Sequence, residues 1–344
     1  MKVRVYEPSD EESWEEFVNA SAIACGYHRI GWKRVIEESF GHKTFYMLAE
    51  DHSGRITGIL PLVHLKSVLF GNFMVSVPFF NYGGICADDG ESYSSLLNES
   101  VRLANHEGAA HIEFRETRPV DNGLPKKESK VSMLFSLPPS AEDLWKSLGS
   151  KLRSQVRRPE KEGMYPKIGR EDELDTFYEV FSENMRDLGT PVYSRTFFLN
   201  VLKAFPLSSW ICSIYTKEGK AVASGFLVGF KDSLEIPWAS SLRAYNNFGP
   251  NMLLYWTCLK FACDSGYRTF DFGRSTPHEG TYRFKEQWGA RPHQLYWYYW
   301  MRDGHAMPEL NPHNPKFALA INVWKRLPLG LTRLIGPAIV KNLP

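Results

Sequence analysis

The chain has 344 residues, room for about two domains, and needs no disulfide or metal staples to hold a core. Hydrophobic residues make up 43% and charged residues 23%, which excludes a disordered chain. Lys and Arg number 41 against 39 Asp and Glu, a formal charge of +2, so only local clusters could speak for nucleic acid.

In chain order, residues 1–6 alternate as a strand, and Ser9-x-x-Glu12 reads as a capping box opening a helix with Trp14, Phe17 and Val18 on one face. A second helix carries Trp32, Val35, Ile36 and Phe40 and stops at Gly41. Strands follow at 44–49, 56–65 and 73–80, the first two joined by a turn at Gly54, then a helix over 93–107 and strands at 110–115 and 130–137. A helix over 141–163, interrupted by Pro159, leads into the second half. There the order returns: an extended stretch at 166–169, helices over 171–188 and 196–204, and strands at 210–215, 222–229 and 233–239. A helix over 252–264 and strands at 268–272 and 294–300 complete it. HAMPELNPHNPK (305–316) reads as a loop, and 317–343 as an apolar, basic tail.

Five scattered cysteines (Cys25, Cys86, Cys212, Cys258, Cys263) include no C-x-x-C, so zinc ribbons and thioredoxin-type motifs are not expected, and the thiols read as free and buried in a reducing cytoplasm. The acidic start MKVRVYEPSDEESWEEF predicts no secretion signal, and no run of ~20 apolar residues predicts a membrane span. His111, His278 and His293 lack metal-ligand spacing, and no G-x-S-x-G elbow occurs.

SGRITGILPLV (53–63) parallels EGKAVASGFLV (218–228), and HIEFRET (111–117) parallels TFDFGRS (269–275). The shared order β-α-α-β-β-β-α-β-β reads as a tandem duplication and resembles the GNAT acyltransferase fold. The resemblance implies an α/β (α+β) chain of two tandem GNAT-type domains, each a mixed central sheet flanked by helices. Expected bounds are 1–140, 141–304 with the working site, and a tail over 305–344.

Paired GNAT domains resemble the FemAB group, which joins an amino acid from aminoacyl-tRNA to the peptide of a peptidoglycan precursor. SKLRSQVRRPEKEG (150–163) resembles that group's basic helix, and FYEVFSENMRDLGTPVYSRTFF (177–198), with Tyr193, its helix-loop-helix over the acceptor. FDFGRS (270–275) and TYRFKEQWGA (281–290) resemble its last strand and its F-K-x-x-[FW]-G signature, which contains Phe284, Lys285 and Trp288 beside Tyr282. The wording of MRDLGTPVYS and FDFGRSTPHEGTYRFKEQWGA is similar to a FemAB-like subgroup that accompanies bacterial exosortase (PEP-CTERM) and exopolysaccharide systems. The coiled-coil arm of some Fem enzymes is absent. The resemblance implies an acyl or aminoacyl transferase acting on an amine of a small-molecule or lipid-linked envelope precursor. The donor is either aminoacyl-tRNA or an acyl thioester, with no tightly bound cofactor and no metal.

Acyl transfer needs a polarised carbonyl and a neutral amine close by. Lys285, between Phe284 and Trp288, is the candidate to polarise or to neutralise a phosphate. Asp271, near the end of its strand with Arg274, either orients the amine and takes its proton or pairs with Arg243 or Arg274. Ser240 and Ser241 offer hydroxyls or cap their strand. The loop from Arg243 to Asn251 stands where GNAT enzymes hold the coenzyme A pyrophosphate, yet keeps one glycine, and Pro250 removes an N–H. Its counterpart in the first half ends in Asp88-Asp89, the wrong charge for an anion. Arg153 and Arg157, at i and i+4, suit a diphosphate or form a solvated basic face. Tyr296-Trp-Tyr-Tyr-Trp300 is a stacking surface or a buried strand. The tail, with Lys325, Arg326, Arg333 and Lys341, lies on an anionic membrane or docks on its own domain. Two classes remain: a cytoplasmic enzyme, peripheral at the inner membrane face if the tail binds there, and a non-catalytic component of a polysaccharide-export or protein-sorting system. Within enzymes, a coenzyme A-dependent acetyltransferase is the alternative.

Overall fold

The computed structural model describes residues 1–308 and 315–343. The chain divides into two units, Met1–Ser132 with His293–Glu309 and Lys341–Pro344, and Met133–Pro292 with Leu310–Val340.

The first half runs β1 (Lys2–Val5), α1 (Glu11–Ala20), α2 (Gly31–Phe40), β2 (Lys43–Glu50), β3 (Ile56–Ser67), β4 (Gly71–Ser76), β5 (Cys86–Ala87), α3 (Gly90–Glu107), β6 (His111–Glu116) and β7 (Lys126–Lys127). α1 buries Trp14, Phe17 and Val18 as its spacing predicts. Its entry differs from expectation. Glu7 N–H donates to Asp10 Oδ2 at 2.7 Å, so a box at Glu7 and Asp10 caps a 3-10 turn ahead of the helix, and Ser9 lies inside that turn. β4 ends at Ser76 and not Phe80, because Val77 and Phe79 turn into the left-handed region (φ 53° and 75°) and cannot extend a strand.

The second half runs β8 (Val131–Ser136), α4 (Ala141–Ser147), α5 (Ser150–Lys161), β9 (Tyr165–Gly169), α6 (Leu174–Leu188), α7 (Arg195–Ala204), β10 (Ser209–Tyr215), β11 (Ala221–Phe230), β12 (Ser233–Ser241), α8 (Pro250–Asp264), β13 (Thr269–Ser275), α9 (Gly280–Glu286), β14 (Arg291–Gln294) and β15 (Tyr296–Met301). α10 (Pro315–Trp324) and α11 (Leu329–Val340) follow. The single helix expected over 141–163 is two helices, and Pro159 does not interrupt the second. It sits in the last turn, where its missing N–H costs a single intrahelical bond. Of the loop expected over 305–316, residues 309–314 lie outside the described residues, and Pro315 and Lys316 open α10 instead.

The first sheet has the order β1-β2-β3-β4-β6-β15-β7, with β5 beside β3, and the second β9-β10-β11-β12-β13-β8-β14. Place by place they correspond, which is the tandem GNAT architecture expected. Gly54 and Gly219, both at φ +81°, turn the equivalent hairpins. The sixth place breaks the simple repeat. β8, expected in the first domain, lies beside β13 in the second sheet. β15, expected in the second, pairs antiparallel with β6 from Tyr296↔Glu116 to Met301↔His111. The units therefore divide at 132/133 and 292/293, not at 140 and 304. The alternation in these segments marks a strand but says nothing of its partner.

Each unit has its own core. Trp14, Trp32, Tyr46 and Phe114 are fully buried in the first. In the second, Phe177, Phe198, Phe226 and Trp238 pack edge to face or tilted at centroid distances of 4.8–5.7 Å.

Candidate active site

β12 and β13 run parallel through Ser233↔Thr269, Leu234↔Phe270 and Glu235↔Asp271. Beyond that pair the strands part, β12 continuing to Ser241 and β13 to Ser275. The parting has a local cause. Between Glu235 and Trp238 the register against β11 shifts, with two residues of β12 opposing one of β11. One of the two is Pro237, which has no ladder N–H to give. The two strands thus splay, and a carboxylate stands on each at the apex.

Glu235 and Asp271 are buried and, as an in-register pair, share one face of the sheet. Phe272 takes the other face and stacks on Tyr255 of α8 at 5.5 Å. Gly273 N–H donates to Asp271 Oδ1 at 2.7 Å, fixing that carboxylate. Lys285, on α9, reaches the same place. Its Nζ donates to the Gly273 and Arg274 carbonyls, both at 2.9 Å. An ammonium has three N–H donors, so one is left for a substrate oxygen. Burial pushes the Lys285 ammonium down to about 8, against the pull of Asp271 and Glu235.

Around the lysine, Tyr282 and Trp288 are buried and Phe284 lies 5.0 Å from Tyr255. Trp288 Nε1 and Ser275 Oγ are buried with no hydrogen-bond partner among the described residues. Orphaned buried donors are rare in folded chains and fit a site awaiting a polar ligand. Arg274 is exposed at the end of β13.

Other expected residues stand around this centre. Tyr193 joins the aromatic cluster, 5.0 Å from Phe197 and 6.3 Å from Trp238. Ser240 Oγ accepts from Asn184 Nδ2 at 3.0 Å, and Ser241 Oγ donates to Asn246 Oδ1 at 3.3 Å. Arg243 is exposed, and Asn251 sits in the first turn of α8. At that helix head Pro250 offers no N–H and Met252 N–H is taken by the Gly249 carbonyl at 2.9 Å. Arg153 Nη1 approaches the Trp145 and Lys146 carbonyls at the end of α4, both at 3.5 Å, and the Arg157 guanidinium stacks 5.1 Å from the Trp145 ring. Trp145 in turn packs on Trp256 of α8 at 4.7 Å. Among the described residues no cluster of three His, Cys, Asp or Glu is placed to hold a metal.

Glu235 was missed at the sequence level. Only its register with Asp271 distinguishes it, and register is not readable from one strand's sequence. Asn184 was missed as well; its sole signal is its place in the helix-loop-helix segment.

The equivalent place in the first unit is filled by its own chain. β4 and β6 pair at Met74↔Ile112 and Val75↔Glu113. Arg115 donates to Glu113 Oε1 at 2.6 Å and to the Phe80 carbonyl, and stacks on Trp297 of β15 at 4.4 Å. Tyr299 OH donates to Glu113 Oε2 at 2.8 Å. Ile85 N–H donates to Glu116 Oε1 at 2.8 Å, and a Cβ on Gly84 would overlap that carboxylate. Asp89 is the N-cap of α3, accepting from Ser92 N–H at 2.7 Å, so a carboxylate occupies the helix head that a phosphate would need.

Residues 146–286 match the family model described as an acetyltransferase (GNAT) domain. No curated protein matches the chain. Among solved structures it is similar to FemX, at 15% identity and a TM-score of 0.66, covering 87% of this chain and 97% of that one. It is similar to L-PGS from Bacillus licheniformis at 14% identity and a TM-score of 0.59, covering 94% and 99%. A tandem GNAT protein from the clavulanic acid biosynthesis pathway gives 10% identity and a TM-score of 0.56, covering 89% and 99%. These likenesses establish the fold, which is the one expected: two sheets flanked by helices in a tandem GNAT arrangement.

Proposed function

We propose that this chain is an acyltransferase of the FemAB kind, which moves an acyl or aminoacyl group onto an amine of a cell-envelope or exopolysaccharide precursor in the splay of its second sheet. The observation that carries the reading is Lys285, buried beside two carboxylates and tied by two of its donors to backbone carbonyls, with the third unspent. The third N–H and the positive charge stabilise the oxyanion that develops as the amine nitrogen bonds the donor carbonyl carbon. The C–O or C–S bond to the donor then breaks, and the amine's proton passes to the leaving group. Asp271 or Glu235 orients the amine and takes the proton in transit. Tyr282, Phe284 and Trp288 wall the cleft and keep water from the charges. The matched domain family and the FemX and L-PGS likenesses support the reaction class.

The depleted α8 head favours aminoacyl-tRNA, or another donor anchored away from that turn, over coenzyme A. Arg153 and Arg157 on α5 supply cations for its phosphates, with Arg243 on the loop before α8 and Asn251 in its first turn. The reading extends to a cytoplasmic enzyme of an exosortase-associated system, the subgroup its motifs resemble. Incubating the purified chain with total charged tRNA or acetyl-CoA, and with lipid- and nucleotide-linked envelope precursors, tests it by mass spectrometry of the acceptors. An added aminoacyl or acyl mass, lost in Lys285→Met, is expected. A precursor pool unchanged by either donor would leave a non-catalytic component as the reading. A coenzyme A-dependent acetyltransferase is the second reading, and the acetyltransferase family match favours it.

A further inference from the structure

α11 has two distinct faces. Thr332, Gly336 and Val340, spaced four apart, are buried. Gly336 lies against the Val192 backbone with no space for a Cβ, and Arg333 Nε donates to Ser182 Oγ at 2.8 Å. The helix is therefore fixed on the second unit. Its outward face, where a surface helix normally carries charge, instead presents Leu331 and Leu334, 40% and 76% exposed. α10 repeats the arrangement. Ile321 packs on Gly189 at the end of α6, and Trp324 is buried. Leu319 and Val323, one turn apart, are exposed, as is Leu188 beside Gly189. Exposed apolar residues repeated on two successive helices mark a docking surface.

The charge of the tail selects the partner. Residues 310–344 contain Lys316, Lys325, Arg326, Arg333 and Lys341, and no Asp or Glu. Two carboxylates of α6, Glu179 and Glu183, line a cleft with Leu329 and Arg333. An anionic bilayer surface matches the exposed apolar residues and the cations of the tail together. Among the described residues no helix is long and apolar enough to cross a membrane. We propose that α10 and α11 form an interfacial platform. Leu319, Val323, Leu331 and Leu334 enter the headgroup boundary of an anionic phospholipid bilayer, and Lys325 and Arg326 hold the lipid charge. This inference does not rest on the acyl-transfer reading.

Co-sedimentation of the full chain with phosphatidylcholine vesicles, with and without phosphatidylglycerol, tests it. Binding to the phosphatidylglycerol vesicles should exceed binding to neutral ones by about tenfold or more and weaken in high salt. Leu331→Glu with Leu334→Glu should cut it by about tenfold, and Lys325→Glu with Arg326→Glu similarly, since each removes one of the two attractions. All four residues are exposed, so thermal unfolding should stay at the wild-type temperature. Absence of vesicle binding, or variants that bind as wild type does, would overturn the proposal. So would sedimentation velocity showing a wild-type dimer that the leucine variant converts to monomer, for the face would then belong to a second copy.

Discussion

At Lys285 burial and charge oppose each other, and the balance sets a pH dependence. Burial brings its ammonium down to about 8, so at neutral pH most molecules still carry the charge. If that charge polarises the donor carbonyl, kcat falls as pH rises through about 8, and Lys285→Met lowers turnover by ~10²-fold while leaving thermal unfolding near wild type. A rate that climbs through the same pH would make the neutral amine the working form. Glu116 shows the opposite shift. Burial raises its carboxyl from 4.5 to about 7. Its folded form therefore holds the proton more tightly than the unfolded chain does. The resulting stability is full below pH 4.5 and is lost as pH rises toward 7. Glu116→Gln should flatten that slope and raise stability at pH 8 by roughly 1–3 kcal/mol, read from denaturant midpoints. An unchanged slope would place the titration elsewhere.

The elements that bear on function were partly legible. The helix spacings and the hairpin glycines were readable because each depends on local chemistry, and the F-K-x-x-W-G stretch because it resembles a family signature. The carbonyl partners of Lys285, the Glu235–Asp271 pair and the exchange of β8 and β15 depend on register and tertiary placement, which alternation does not encode. The head of α8 is the element on which donor choice turns. With Pro250 lacking its N–H and Met252 committed to Gly249, acetyl-CoA should bind with a dissociation constant in the millimolar range, about −4 kcal/mol. Isothermal titration checks this. Micromolar affinity would instead place the chain with coenzyme A-dependent acetyltransferases.

Over the whole molecule, the exchanged strands make each sheet depend on chain from the other half. β15 brings Tyr298 into the first core, Tyr299 to Glu113 and Trp297 to Arg115. A fragment of residues 1–140 should therefore lack a cooperative thermal transition by circular dichroism, and residues 1–132 joined to 293–308 should regain one. A cooperative melt of 1–140 alone would contradict the exchange as a stabilising feature. In the first unit Arg115 and Glu116 fill the cleft, and the proposed function puts the chemistry on the second. The most direct measurement of that division is the rate of transfer from total charged tRNA to envelope precursors by wild type, Lys285→Met and Arg115→Met. The account predicts loss in the Lys285 variant and, where Arg115→Met still folds, retention in that one. Wild-type transfer by Lys285→Met would contradict it.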